Sequence, residues 1–172
     1  MFKYRVITSI VLACIGFYSI YFLPANLLNF FSIIIIGGAA YEWARLISFS
    51  STISLVAYIA ANLSVIGLIY YLPLSFNLNS SALFQPLFTA ACIWWVIAFL
   101  WVKNYPASAT IWNNLVVKSL MGLFLLTPLW ISVVSIFNFD NGRHLLAIFV
   151  VIVAVADIGG YLIGKFFGSH TL

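Results

Sequence analysis

Charge is what this sequence has least of. Of its 172 residues three are acidic and seven are lysine or arginine, 6% in all, where soluble domains carry about 25%. Cysteine is nearly missing as well. Cys14 and Cys92 lie in apolar runs with no CxxC or histidine-paired spacing, which excludes a thiol metal site or redox motif and marks them as small buried hydrophobes. Internal repeats and low-complexity tracts are absent. The net charge of +4 is too small and too dispersed to read as a nucleic-acid footprint, and it informs only through where the cations sit. What fills the space instead is apolar: 65% hydrophobic residues, 18% aromatic residues and a mean hydropathy of +1.18. That composition excludes a soluble globular domain and requires an integral membrane protein.

A bilayer leaves the backbone few options, because every N–H and C=O must find a partner inside the chain, so apolar runs of about 20 residues read as spanning helices. Six such runs are present: Val6 to Leu23, Leu27 to Leu46, Ile53 to Leu72, Pro86 to Val102, Val116 to Phe137 and Leu145 to Gly164. Turn-forming stretches separate them, at Pro24, at Ser48, from Pro73, from Lys103 and from Asn138. Lys3 and Arg5 ahead of the first run resemble a signal-peptide start, but the run is long and no AxA-like cleavage site follows. The expected fold is therefore all-α, a polytopic transmembrane helical bundle of about six spans, with residues 1–172 forming one transmembrane portion.

If the N-terminus is cytoplasmic and all six runs cross, Lys3, Arg5, Arg45, Lys103, Lys118 and Lys165 fall on the cytoplasmic side and Arg143 alone falls outside. This is the asymmetry that the positive-inside rule demands. Trp43, Trp101, Tyr105 and Trp112 near the cytoplasmic ends, and Tyr18, Tyr21, Tyr70 and Tyr71 near the outer ends, fit interfacial anchors. Trp94 and Trp95 fall deeper, as packing bulk.

The three carboxylates differ in depth. Asp140 lies in an outer loop, and Glu42 stands three residues before Arg45, at ion-pair spacing on a helix. Asp157 is inside the last apolar run, where a charge costs at least about 2.5 kcal/mol at the membrane centre and marks a functional site by default. At about 100° per residue, Asp157, Gly160, Tyr161, Gly164, Lys165 and Gly168 gather on one arc. Gly160 and Gly164 form a GxxxG step that lets another backbone approach, which is compatible with a homodimer. A carboxylate followed by Lys165 and His170 suits a phosphate-bearing ligand with Mg²⁺. It also suits a proton or ion relay in a small membrane transporter, or an ion pair of Asp157 with Lys165 or Lys118.

The segment "ADIGGYLIGKFFGSHTL", Ala156 to Leu172, resembles the bacterial phosphatidate cytidylyltransferases (CDP-diacylglycerol synthases), whose stretch reads approximately ADSGAYxxGKxFGKHKL. "KYRVIT" at the N-terminus, "YEWARL" at Tyr41 and "WWVIAFLWVKNYPASATIW" from Trp94 extend the resemblance along nearly the whole chain. Asp157, Gly159, Tyr161, Gly164, Lys165, Gly168 and His170 match the motif, whereas Ile158 replaces a Ser or Thr, and Ser169 and Thr171 replace basic residues. Members of that family continue into an SPGKTWEG-like loop and further helices that supply most metal and nucleotide ligands, and these residues are not among the 172.

The resemblance implies an enzyme of phospholipid biosynthesis in the bacterial inner membrane, making CDP-diacylglycerol and diphosphate from CTP and phosphatidic acid with Mg²⁺. Asp157, Lys165 and His170 are then catalytic, with Asp157 also the metal ligand, and Gly160, Tyr161, Gly164 and Gly168 bind substrate. The 172 residues by themselves are expected to be inactive, and a noncatalytic membrane scaffold is the other role open to them. The charge pattern also makes a prediction independent of the family. Charge-neutral reporter fusions after Pro73 and after Asn141 are expected to report the outer compartment, and a cytoplasmic signal at both would reverse the topology.

Overall fold

The computed structural model describes residues 2–76 and 80–167. The chain there is helical, with no strand among the described residues: α1 Phe2–Phe22, α2 Ala25–Leu46, α3 Thr52–Phe76, α4 Ser80–Lys103, α5 Ala109–Trp112, α6 Leu115–Phe137 and α7 Gly142–Phe167. Five of these, α2, α3, α4, α6 and α7, are long and apolar enough to cross a membrane. The remaining expected span is α1, 21 residues long, of which Val11–Phe22 is recorded as a shorter apolar stretch. Two boundaries differ from the sequence expectation. α3 runs past Pro73 to Phe76, since a proline near a helix end removes a single bond of the ladder. The segment after Lys103 is not simply a loop, for it winds into the one-turn α5.

Two compact units make up the chain, residues 1–28 with 133–172, and residues 29–132. In the first, Ile20 and Leu28 pack with Leu146 and Ala147 of α7, and Phe17, Leu23 and Phe137 close around them. The polar counterpart of this cluster is Arg143. Its Nη1 donates to the carbonyls of Ile20 and Tyr21, both at 2.7 Å, and its Nη2 donates to that of Leu23 at 2.9 Å. The last carbonyls of a helix have no partner within it and carry the negative end of its dipole, so a guanidinium there answers both needs. The same group lies 5.0 Å from the centroid of the Phe137 ring, a cation–π distance. Beside it Tyr21 Oη and His144 Nδ1 are 3.2 Å apart. Gly142 permits the approach, because a Cβ there would run into the carbonyls of Ile136 and Phe137.

The second unit uses the same device without charge. Trp43 Nε1 of α2 donates to the Lys118 carbonyl of α6 at 2.9 Å, and Tyr58 Oη of α3 donates to the Ser119 carbonyl at 3.0 Å. In a helix the residue four positions on covers a carbonyl. Here that residue, for Lys118, is Gly122, and a Cβ on it would collide with both the Tyr58 hydroxyl and the Trp43 indole. Deeper in the unit Trp130, 2% exposed, donates from Nε1 to Ser32 Oγ at 3.1 Å. Asn62, fully buried, donates from Nδ2 to the Tyr58 carbonyl at 3.0 Å.

Several expectations fail for one shared reason. Cys14 and Cys92 are exposed rather than buried, and Arg45 lies over the Tyr41 ring, 5.8 Å from its centroid, while the Glu42–Arg45 ion pair is not formed among the described residues. In a bundle whose outer faces meet lipid, apolar character does not imply an inward position, and a cation at a helix end has aromatic faces available to it.

The Arg143 contacts generate a direct prediction. Arg143→Ala leaves three helix-end carbonyls without a partner and is expected to destabilise the α1–α7 pairing by about 3 kcal/mol. Arg143→Lys, a point charge without the planar fork, recovers part of this. Helical circular dichroism through an SDS titration reads the difference, and equal midpoints for all three proteins would show that the fork is not what joins the two helices.

Candidate functional site

α7 changes character along its length. Its first turns carry Gly142, buried, then Arg143, Leu146 and Ala147, all fixed against α1 and the end of α6. From Ile148 to Ile158 every side chain is exposed, with Ile152 61%, Val155 62% and Ile158 60% exposed, and Ile163 further on is 63% exposed. Asp157 lies ten residues past Ala147, about 15 Å further along the axis at 1.5 Å per residue. One end of α7 is therefore held by packing and three charged hydrogen bonds, and the stretch from Ile148 to Ile158 presents its side chains outward.

The sequence-predicted face can be placed residue by residue. Asp157, Gly160, Tyr161, Gly164 and Lys165 all fall on the uninterrupted helix α7, so their spacing of three, four, seven and eight residues puts them on one side. Asp157 is exposed, as are Gly160 and Gly164. A Cβ added at Gly159, Gly160 or Gly164 would meet nothing within 4 Å, so the GxxxG step packs against no other described helix. The side chains of Tyr161 and Lys165 are outside what is described, and Gly168 and His170 lie outside the described residues altogether. Of the partners considered for Asp157, Lys118 is engaged elsewhere, since its Nζ donates to Asn113 Oδ1 at 2.6 Å.

What this face can do chemically is limited and clear. It offers one carboxylate on an apolar helix next to backbone that a bulky ligand or a second helix can reach. No group of three or more His, Cys, Asp or Glu residues converges among the described residues. Asp157 thus fits a metal as one corner of a site and does not make a site by itself. Mg²⁺ suits that situation best of the common ions, because it is bound through one or two carboxylates, with waters and substrate phosphates completing the octahedron.

Comparison with known proteins agrees with the motif reading. A family model described as "Cytidylyltransferase family" matches residues 3–172. A relative from Pseudomonas aeruginosa, a phosphatidate cytidylyltransferase, is 31% identical over 172 residues, which is all of this chain and 60% of the relative. The chain therefore spans less than two thirds of the length of that protein. No solved structure matches.

The exposure of Asp157 carries a prediction about folding. With no described partner to lose, Asp157→Asn is expected to leave thermal stability within about 0.5 kcal/mol of the original and membrane insertion unimpaired, since it removes a charge from an apolar helix. A loss well above 1 kcal/mol in a thermal melt would instead identify Asp157 as half of a structural ion pair.

Proposed function

This chain belongs to the cytidylyltransferase family, and on that premise we propose that it serves a phosphatidate cytidylyltransferase, which forms CDP-diacylglycerol and diphosphate from CTP and phosphatidic acid. The observation that carries the reading is the 31% identity extending over all 172 residues. It takes in α7, where Asp157 and its open glycine face lie.

In this reaction an oxygen of the lipid phosphate attacks the α-phosphorus of CTP. A new P–O bond forms as the bond to the bridging α,β-oxygen breaks, and diphosphate leaves with the electron pair. Little covalent work falls to the protein, so catalysis is positioning and charge neutralisation. In our reading Asp157 is the metal-holding carboxylate, and Lys165 and His170 neutralise phosphate oxygens. Gly160, Gly164 and Gly168 let phosphates or a neighbouring backbone come close to the helix, with Tyr161 beside them. When bound, Mg²⁺ would withdraw charge from the phosphates. The segregation of cations supports a bacterial inner-membrane orientation with the N-terminus and the Lys165 end of α7 facing the cytoplasm, where CTP is dissolved. Phosphatidic acid then arrives sideways through the bilayer.

The test joins residues 1–172 to the C-terminal part of the Pseudomonas relative that this chain does not span, and follows labelled CTP into lipid in membranes. Lipid product that requires both CTP and phosphatidic acid is expected, with at least about a hundredfold loss in Asp157→Asn. Ile158→Ser, which sets a hydroxyl beside the carboxylate on an exposed position, is expected to raise the rate, with one hydrogen bond to a charged group worth at most about 1.5 to 3 kcal/mol. Ile158→Ala controls for size. Full activity of Asp157→Asn would remove α7 from the site.

A further inference from the structure

The middle of the second unit holds two buried side-chain oxygens that have no partner among the described residues, and a proline breaks the helix ladder beside one of them. Asn62 of α3 is fully buried. Its Nδ2 donates to the Tyr58 carbonyl at 3.0 Å, which fixes the orientation of the amide, because only its nitrogen carries donors. Oδ1 is the end without a partner. On α6 the same holds for Oγ1 of Thr127, 5% exposed. That is unlike the hydroxyls of Ser19, Thr89 and Ser132, each of which donates to the carbonyl four residues back in its own helix. The third group is the Phe124 carbonyl, which loses its ladder donor because Pro128 has no N–H.

The register of α3 on α6 brings these groups to neighbouring turns. Tyr58 Oη donates to the Ser119 carbonyl, and further along both helices the ring of Tyr70 meets that of Trp130, with centroids 6.1 Å apart. The two helices therefore run parallel in a steady register, and Asn62, one turn past Tyr58, lies level with the part of α6 between Ser119 and Thr127. Asn62 stands ten residues past the start of α3 and Thr127 twelve past that of α6, about 15 to 18 Å along each axis. That depth is near the middle of a hydrocarbon core about 30 Å thick, where a polar group has no bulk water to turn to. What the three groups require is two donors, for Asn62 Oδ1 and the Phe124 carbonyl, and one acceptor, for the Thr127 hydroxyl. Water supplies both kinds at once. A monovalent cation would also find three oxygens, but it would bring a charge between two helices that carry no acidic residue.

We propose that a water molecule is held between α3 and α6 at mid-membrane, donating to Asn62 Oδ1 and to the Phe124 carbonyl and accepting from the Thr127 hydroxyl. Three hydrogen bonds are the usual number for a buried water, and ordered water with a neighbouring Ser or Thr is one way in which a spanning helix accommodates proline. The water replaces the ladder bond that Pro128 removes, and through Asn62 it ties that turn of α6 to α3. The site needs neither CTP nor Asp157, so it stands or falls apart from the activity proposed above.

Nuclear magnetic resonance of the full chain in detergent micelles, with nitrogen-labelled asparagine, tests this. The side-chain amide of Asn62, identified by its loss in Asn62→Leu, is expected to show magnetisation transfer from water although the residue is fully buried. Thr127→Val, close to threonine in shape but without the hydroxyl, is expected to weaken that transfer about fivefold, the change in occupancy that one neutral hydrogen bond sets. Pro128→Ala, which returns a ladder donor to the Phe124 carbonyl, is expected to weaken it by a similar factor. Ser132→Ala, one turn on, removes a hydroxyl already given to the Pro128 carbonyl and is expected to leave the transfer unchanged. A resolved Asn62 amide with no transfer from water would overturn the site, and that measurement uses the original chain, so it stands even if a variant fails to fold. Transfer of undiminished strength in both Thr127→Val and Pro128→Ala would overturn the three-partner geometry. A displaced Asn62 resonance when sodium is exchanged for choline would put a cation in the water's place and overturn the occupant.

Discussion

Helices inside a bilayer gain little from burying apolar side chains against one another, because lipid tails offer nearly the same contacts. Something else must hold this chain together, and with three carboxylates in 172 residues ion pairs are not the means. The recurrent solution is a side-chain donor from one helix placed on a backbone carbonyl of another. Arg143 does it at the end of α1, and Trp43 and Tyr58 do it near the start of α6. A carbonyl has two lone pairs, so it accepts such a donor even when one lone pair already serves the helix ladder. Each contact therefore adds a cross-helix bond and leaves the ladder intact.

The placement of the Asp157 face depends on the first of these contacts through the stiffness of α7. The guanidinium of Arg143 and the packing of Leu146 and Ala147 fix one end of the helix. The uninterrupted ladder carries that fixation to Asp157, in a stretch where every side chain from Ile148 to Ile158 is exposed. A carboxylate on this rigid helix with glycines beside it is positioned, and it has no partner among the described residues. This is a suitable condition for a ligand that must be shared with other protein segments, as the oxygens around Mg²⁺ are.

Much of the architecture was legible in the sequence because membrane thickness fixes helix length. Spans such as Val116 to Phe137 and Leu27 to Leu46 coincide with α6 and α2 to within two residues at each end. Asp157 stood out in the sequence for an equally direct reason, since a charge set within an apolar membrane helix is costly. Side-chain direction was not legible. The helices are apolar nearly all round, so periodicity could not tell inward from outward, and Cys14 and Cys92 were assigned to the wrong face. Nor could the sequence reveal that Trp43, Trp94, Trp101 and Trp112, on three different helices, face a common space. That convergence follows from tertiary geometry. Gly122, which makes both α6 carbonyl contacts possible, carries no sequence signal beyond being a glycine in an apolar run.

Gly122 also ties the histories of three residues to one another. The indole of Trp43 and the hydroxyl of Tyr58 occupy the place that a side chain at position 122 would need. A methyl group introduced there displaces both donors at once, while a smaller residue at 43 or 58 leaves a void over the α6 carbonyl it would have covered. Neither half of the arrangement improves by single steps, so lineages of this chain should change the three positions together or not at all, and a homologue with alanine at 122 should be found to have abandoned the tryptophan and the tyrosine as a pair.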